Sequence, residues 1–173
     1  MNSDHRYILD ADVLITAKNQ YYAFDLCPGF WSSLIHFHGE GYINSIDKVK
    51  NELLMGTDTD NLVQWVKRHV PSGFFIDTDN GDVAAAYTDV MLWVQRHPNY
   101  FDYAKAKFAT GADGWLVAYA MVHGVVVVTN EQPRPEAKRE IKLPDVCNQF
   151  GVVFKDVYFV LRNLKISYKW GKP

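Results

Sequence analysis

Apolar positions along the chain fall into two rhythms. Short continuous runs in "RYILD", "VVVVT" and "VVFKD" consist of β-branched and aromatic residues and stop at a polar break, which predicts short buried strands. The four consecutive valines leave no polar face, the form used by parallel sheets that are covered on both sides. Elsewhere the apolar residues return every three or four positions. "INSIDKVKNELLMG" places Ile46, Val49, Leu53 and Leu54 at helical spacing, with Ser45 as N-cap and Gly56 as stop. "TDTDNLVQWVKRHV" puts Leu62, Trp65, Val66 and Val70 on one stripe before Pro71. "NGDVAAAYTDVMLWVQRHP" predicts a helix ended by Pro98, and "GADGWLVAYAMVHG" one bounded by glycines. "LPDVCNQFG" reads as a short helix with Pro144 in its first turn, and "VYFVLRNL" as a last helix. Strands alternating with helices imply an α/β fold, an α/β/α sandwich around a central parallel sheet. A length of 173 residues fits a single domain, 1–173.

Composition narrows the class. With 48% hydrophobic residues there is enough apolar material for a substantial core. The longest apolar stretch, "WLVAYAMVHGVVVV", is broken by His123 and Gly124 and falls short of the roughly 18 to 20 residues a membrane helix needs. No basic segment followed by an apolar one opens the chain, so no secretory leader is expected. Cys27 and Cys147 are too few for a disulfide framework or a structural zinc site. Together these features predict a cytoplasmic protein with no membrane partner. The net charge of −2 is unevenly spread. From Arg134 onward nine Lys/Arg face four Asp/Glu, a net +5, whereas the preceding residues carry nine against sixteen, a net −7. A solvated basic face explains this, and so does an edge that attracts phosphate beside an acidic site.

The candidate chemistry lies in the acids. Open parallel sheets bind ligands beyond the carboxyl ends of their strands. Asp10 and Asp12 follow the first strand at that end, and Glu131 follows "VVVVTN". Asp113 opens the helix that leads into the same strand, and Glu52 projects from a helix. Clustered carboxylates repel, and burial raises their pKa, so such a group needs protons or a cation. Hard oxygen ligands select Mg²⁺ or Mn²⁺, which polarise phosphoryl oxygens and acidify water. Taken one at a time, each acid also reads as a helix cap or a surface residue.

Four stretches in order, "YILDADVLI", "VKNELL", "GADGWLVAYA" and "VVVVTNE", resemble the motifs of the PIN-domain nucleases. The flanks "NQYYAFDLCPGFW", "FATGADGWLVAYA", "VVVVTNEQPRP" and "IKLPDVCNQFGV" are similar to a bacterial PIN-like subfamily of unknown function. This resemblance spans nearly the whole chain. It implies a PIN-like fold and a Mg²⁺- or Mn²⁺-dependent endoribonuclease of the VapC-toxin kind, leaving a 5′-phosphate and a 3′-hydroxyl. On the matching positions, Asp10, Glu52, Asp113 and Glu131 would be the catalytic acids. Asp10 and Asp113 would hold the principal ion, with Glu131 and Asp12 as further metal-side acids and Thr129 and Asn130 as positioners. Glu131 stands where many PIN domains have Asp, and Asp12 where they often have Asn, Ser or Thr. The implied partners are an RNA substrate, an antitoxin protein and a second copy in a homodimer.

In the charged loop "QPRPEAKRE", Arg134, Lys138 and Arg139 are the candidates for contact with the RNA backbone. Lys18 reads as a solvated lysine or a phosphate neighbour, and the rings of "YYAFDLCPGFW" as core, oligomer contact or base-stacking surface. Two alternatives compete. "DADVL" also resembles the Asp-x-Asp start of haloacid-dehalogenase-type phosphatases, in which Asp10 would be a nucleophile. A PIN fold without activity would serve as an RNA-binding or assembly module.

Overall fold

β1 (Tyr7–Leu9) is the strand around which the sheet assembles. It pairs in parallel with β2 (Ile43–Ile46) on one side, Tyr7 opposite Ile43, and with β4 (Val126–Val128) on the other, Leu9 opposite Val128. β3 (Phe75–Ile76) extends the sheet beyond β2, and β5 (Phe154–Lys155) extends it beyond β4. The order is β3-β2-β1-β4-β5, all parallel. The structure is a computed structural model that describes residues 6–169. The ends of the expected 1–173 domain, residues 1–5 and 170–173, lie outside the described residues.

Right-handed crossovers fix where the helices go. From β1 to β3 the chain steps one way across the sheet, through α1 (Ala11–Thr16), α2 (Pro28–Gly39), α3 (Asp47–Leu53) and α4 (Asn61–Arg68). A π-helical turn, Ala17–Tyr21, continues α1. The chain then returns past β1 to β4 through α5 (Gly81–Arg96), α6 (Asp102–Thr110) and α7 (Asp113–His123), and reaches β5 through α8 (Leu143–Gln149). Reversing direction puts the second group on the opposite face. Packing agrees, since α1 and α4 touch α3 while α5, α6 and α8 touch α7. The result is an α/β/α sandwich. α9 (Val157–Asn163) closes the chain, with Asn163 Nδ2 donating to the Tyr7 hydroxyl at 2.7 Å.

The three central strands are buried because both faces are covered, while β3 and β5 are half-buried. Ile8, Leu9, Ile43, Ile46, Val127 and Val128 are all inaccessible to solvent, as the unbroken valine run predicts. Three helix boundaries follow side-chain caps: Asp60 accepts from the Leu62 amide, Asn80 from the Val83 amide and Asp156 from the Phe159 amide. Gly124 ends α7 in the left-handed conformation (φ 64°), which a glycine adopts without strain. Ser45 departs from the sequence reading. It is a strand residue of β2, not an N-cap, and its fully buried hydroxyl donates to the Leu9 carbonyl at 2.6 Å. α3 starts two residues later, after Ile46.

Gly114 marks the tightest seam between α7 and its neighbours. A Cβ there would lie 2.9 Å from the Tyr87 ring and 3.3 Å from Phe108. The Tyr87 ring cannot swing freely, because it stacks on Trp115 at 3.9 Å. Gly114→Ala should therefore destabilise the fold by roughly 1–3 kcal/mol, measured by chemical denaturation. An unchanged midpoint would mean that α5 and α7 slide apart at little cost.

Candidate active site

Asp10 directly follows β1, and its amide donates to the Val128 carbonyl at 2.9 Å. This bond fixes the residue at the seam between β1 and β4, where the strand order reverses, and such a switch point forms a crevice at the carboxyl ends of the strands. Its side chain is 5% exposed. Thr129, the residue after β4, donates its hydroxyl to Asp10 Oδ2 at 2.9 Å. The Glu131 amide donates to the same hydroxyl oxygen at 3.2 Å. One buried threonine thus ties the first acid to the segment that carries the fourth.

Asp113 is the first residue of α7, and the cap position belongs to Ala112, with no side-chain cap. The Ala112 amide donates instead to Glu52 Oε1 at 2.7 Å. Glu52, reaching from α3, therefore satisfies the start of α7 beside Asp113. Glu131 has both oxygens engaged: Lys142 Nζ lies 3.3 Å from Oε1, and the Leu143 amide donates to Oε2 at 3.0 Å. Glu52, Asp113, Glu131, Glu140, Lys107 and Lys142 line a cavity of about 270 Å³. Asp10 lies buried beneath, close enough to raise the pKa of Asp113. The structure thus brings Asp10, Glu52, Asp113 and Glu131 into one neighbourhood. Asp12 stands at the edge of it, in the first turn of α1, with Oδ1 accepting from the Thr16 hydroxyl at 3.0 Å.

None of the other sequence candidates lines this cavity. Arg134 pairs with Glu140 at 3.1 Å, and its amide is held by both oxygens of Asp145 at 3.0 Å. Lys138 and Arg139 are exposed and make no ion pair among the described residues. Lys18 is tied to Asp60 at 2.7 Å. The aromatic segment is mostly core: Tyr22 stacks on Phe30 at 4.4 Å and Phe24 on Trp31 at 3.9 Å, while Tyr21 remains exposed. A larger groove of about 700 Å³ runs between α2 and α4, lined by Phe24, Trp31 and Trp65. It shares no residue with the acidic cavity. Size favours the groove, but only the cavity gathers ionisable groups with displaced pKa values.

A family model described as a domain of unknown function (DUF4411) matches residues 7–168. The chain belongs to the DUF4411 family. None of the curated proteins matches it. All four acids and Lys142 fall within the DUF4411 match. No described helix is long and apolar enough to cross a membrane.

Electrostatics explain what this DUF4411 site lacks. Burial pushes the Asp10 carboxyl up to about 7; the Thr129 hydroxyl opposes this, and Asp12 and Glu131 add to it. Burial, then the charges of Asp10, Glu131 and Glu52, hold Asp113 well above the usual carboxylate range. Glu52 is raised by burial, against the pull of the Ala112 amide. Burial also pushes the Cys147 thiol up to about 12, and the nearby Asp113 and Asp10 contribute. Among the described residues no three His, Cys, Asp or Glu side chains converge tightly enough to hold a metal ion by themselves. The acids share one field rather than one coordination sphere. That donor chemistry still fits Mg²⁺ or Mn²⁺, since Mg²⁺ typically takes one or two carboxylates and keeps several waters. Asp10 and Asp113 are the two buried carboxyls held above the usual carboxylate range.

Lys142, Glu140 and Lys107 were not recognised as cavity residues from sequence. For Lys142 the available signal is a single lysine between Ile141 and Leu143, apolar residues that fold into the core and leave its ammonium at the rim.

Asp10 and Asp113 keep their protons to higher pH in the folded chain than in the unfolded one. The folded state therefore binds more protons between about pH 4 and 7, and stability falls as pH rises through that window. In EDTA, the unfolding free energy should drop by on the order of 2 kcal/mol from pH 5 to pH 8. Asp113→Asn should flatten the drop. A wild-type profile that is level or rises over this range would show that the carboxylates are already compensated.

Proposed function

We propose that this chain is a metal-dependent endoribonuclease of the PIN kind, acting in the cytoplasm with Mg²⁺ or Mn²⁺ as cofactor. The observation that carries the reading is the buried Asp10–Asp113 pair, two carboxyls raised together at the switch point of a parallel sheet. Strongly raised carboxyl groups in a cleft cluster at functional sites. When bound there, a divalent ion supplies the missing charge, polarises a phosphoryl oxygen and acidifies water.

The chain's own residues divide the work. Asp10 and Asp113 would hold the ion. Thr129 orients Asp10 through its hydroxyl and keeps Oδ2 pointed. Glu131, fixed by Lys142 and the Leu143 amide, orients the attacking water for in-line displacement and takes its proton. Glu52 sets the position of Asp113 by bonding the amide just before it. The water oxygen bonds to phosphorus as the bond to the 3′ oxygen breaks, and the leaving oxygen takes a proton from solvent, leaving a 5′-phosphate and a 3′-hydroxyl. The buried Cys147 thiol is no nucleophile at neutral pH. An antitoxin and a second copy of the chain are the protein partners this reading carries.

Asp10→Asn and Asp113→Asn should each lower RNA cleavage by at least about 100-fold while the melting temperature holds or rises. Cleavage of defined RNAs in Mn²⁺, with EDTA as control, is the measurement. Normal cleavage by either variant would overturn the assignment. Phosphorylation of Asp10 with turnover of small phosphomonoesters would favour the phosphatase reading instead.

The acidic centre repels RNA, so its phosphates need an attractive surface nearby. Arg134, Lys138 and Arg139 supply one on the loop that carries Glu140 to the cavity wall. In an Asp10→Asn background, changing all three to Gln should weaken RNA binding equally across sequences. The salt slope should flatten by roughly 0.7 per lost contact. If affinity and slope are unmoved, the RNA crosses another face.

A further inference from the structure

Lys142 is placed unlike a surface lysine. Its neighbours Ile141 and Leu143 are 8% and 0% exposed, so its backbone is set into the core. Its own carbonyl accepts from the Asp145 and Val146 amides as α8 begins. The side chain is 22% exposed, and its ammonium meets two carboxylates at once, Glu131 at 3.3 Å and Glu140 at 3.1 Å. Glu140 is braced from behind by Arg134. An exposed ion pair is worth little because water competes for both partners. Here the stem is packed and the charge is aimed into the cavity that holds Glu52 and Asp113.

Two-metal nucleases hold a second ion a few ångströms from the first, and its ligands are the remaining acids of the cluster. In this chain Glu131 is already engaged at both oxygens and Glu52 at one. Glu131 gives one oxygen to Lys142 and the other to the Leu143 amide, and Glu52 gives Oε1 to the Ala112 amide. We propose that Lys142 is a built-in cation that takes the place of a second metal ion, limiting the site to one divalent ion and keeping Glu131 as a water-orienting acid rather than a ligand. This rests on the nuclease reading above and adds to it the stoichiometry and a positioning residue. A fixed ammonium cannot dissociate, so Glu131 keeps its orientation whether or not metal is bound. Its charge of +1 is also half that of the ion it replaces.

The test is the number of Mn²⁺ ions bound per chain. It is counted by the loss of the free-Mn²⁺ electron paramagnetic resonance signal, on the full chain at pH 7.5 without RNA. Wild type should bind one. Lys142→Met, which keeps the packed stem, should bind a second, and Lys142→Gln should do the same. Lys142→Arg should remain at one. The double change Lys142→Met with Glu131→Gln should return to one, because Glu131 is the group set free. Two ions in wild type, or a count of one in both neutral variants, would overturn the proposal. If wild type binds two ions and still cleaves RNA in Mn²⁺, the nuclease reading stands and only the role of Lys142 fails. If wild type binds no Mn²⁺, both fall together.

Discussion

A carboxylate buried at the end of the central strand cannot be left to itself. Asp10 is held there by its backbone, because its amide is part of the bonding between β1 and β4. The side chain therefore cannot retreat to solvent without loosening the sheet. Its charge must be met by a hydrogen bond, a proton or a cation, and the surroundings supply the first two. Thr129 provides the bond, and the raised pKa marks the proton.

Topology explains why the acids come from four distant parts of the chain. The reversal of strand order at β1 and β4 opens a crevice that any loop leaving those strands must skirt. Asp10 and Glu131 leave from the two strands themselves. α3 arrives from one face with Glu52, and α7 starts on the other with Asp113. The Ala112 amide joins the two faces through a single hydrogen bond to Glu52. Sheet, site and sandwich are thus one arrangement, and moving any one of these elements would shift an acid.

Much of the fold was legible because its signals are local. The valine run, the helical stripes of α4, α5 and α7, and the glycine that ends α7 are each decided within a dozen residues. β2 was hidden because "INSI" is short and runs straight into α3. Ser45 resembles a cap until the Leu9 carbonyl, distant in sequence, is seen to need its hydroxyl. β3 has only two residues and leaves too short a pattern, and α2 is obscured by aromatic residues that bury in several directions. In the site, the acids could be read as candidates because each stands at an element boundary. Glu140 and Lys142 could not, since their partners are set by how the loop after β4 folds back. The engagement of both Glu131 oxygens is likewise a property of three dimensions.

The outer strands carry a consequence of their own. β3 and β5 have two residues each, and β5 ends on Lys155, whose ammonium lies 5.0 Å above the Phe159 ring. A long bare rim would offer a ladder of unpaired amides to any extended chain nearby, a route to runaway stacking. Rims this brief, one of them marked by a charge, give such a ladder almost no foothold. Copies of the chain can therefore crowd together without continuing one another's sheet.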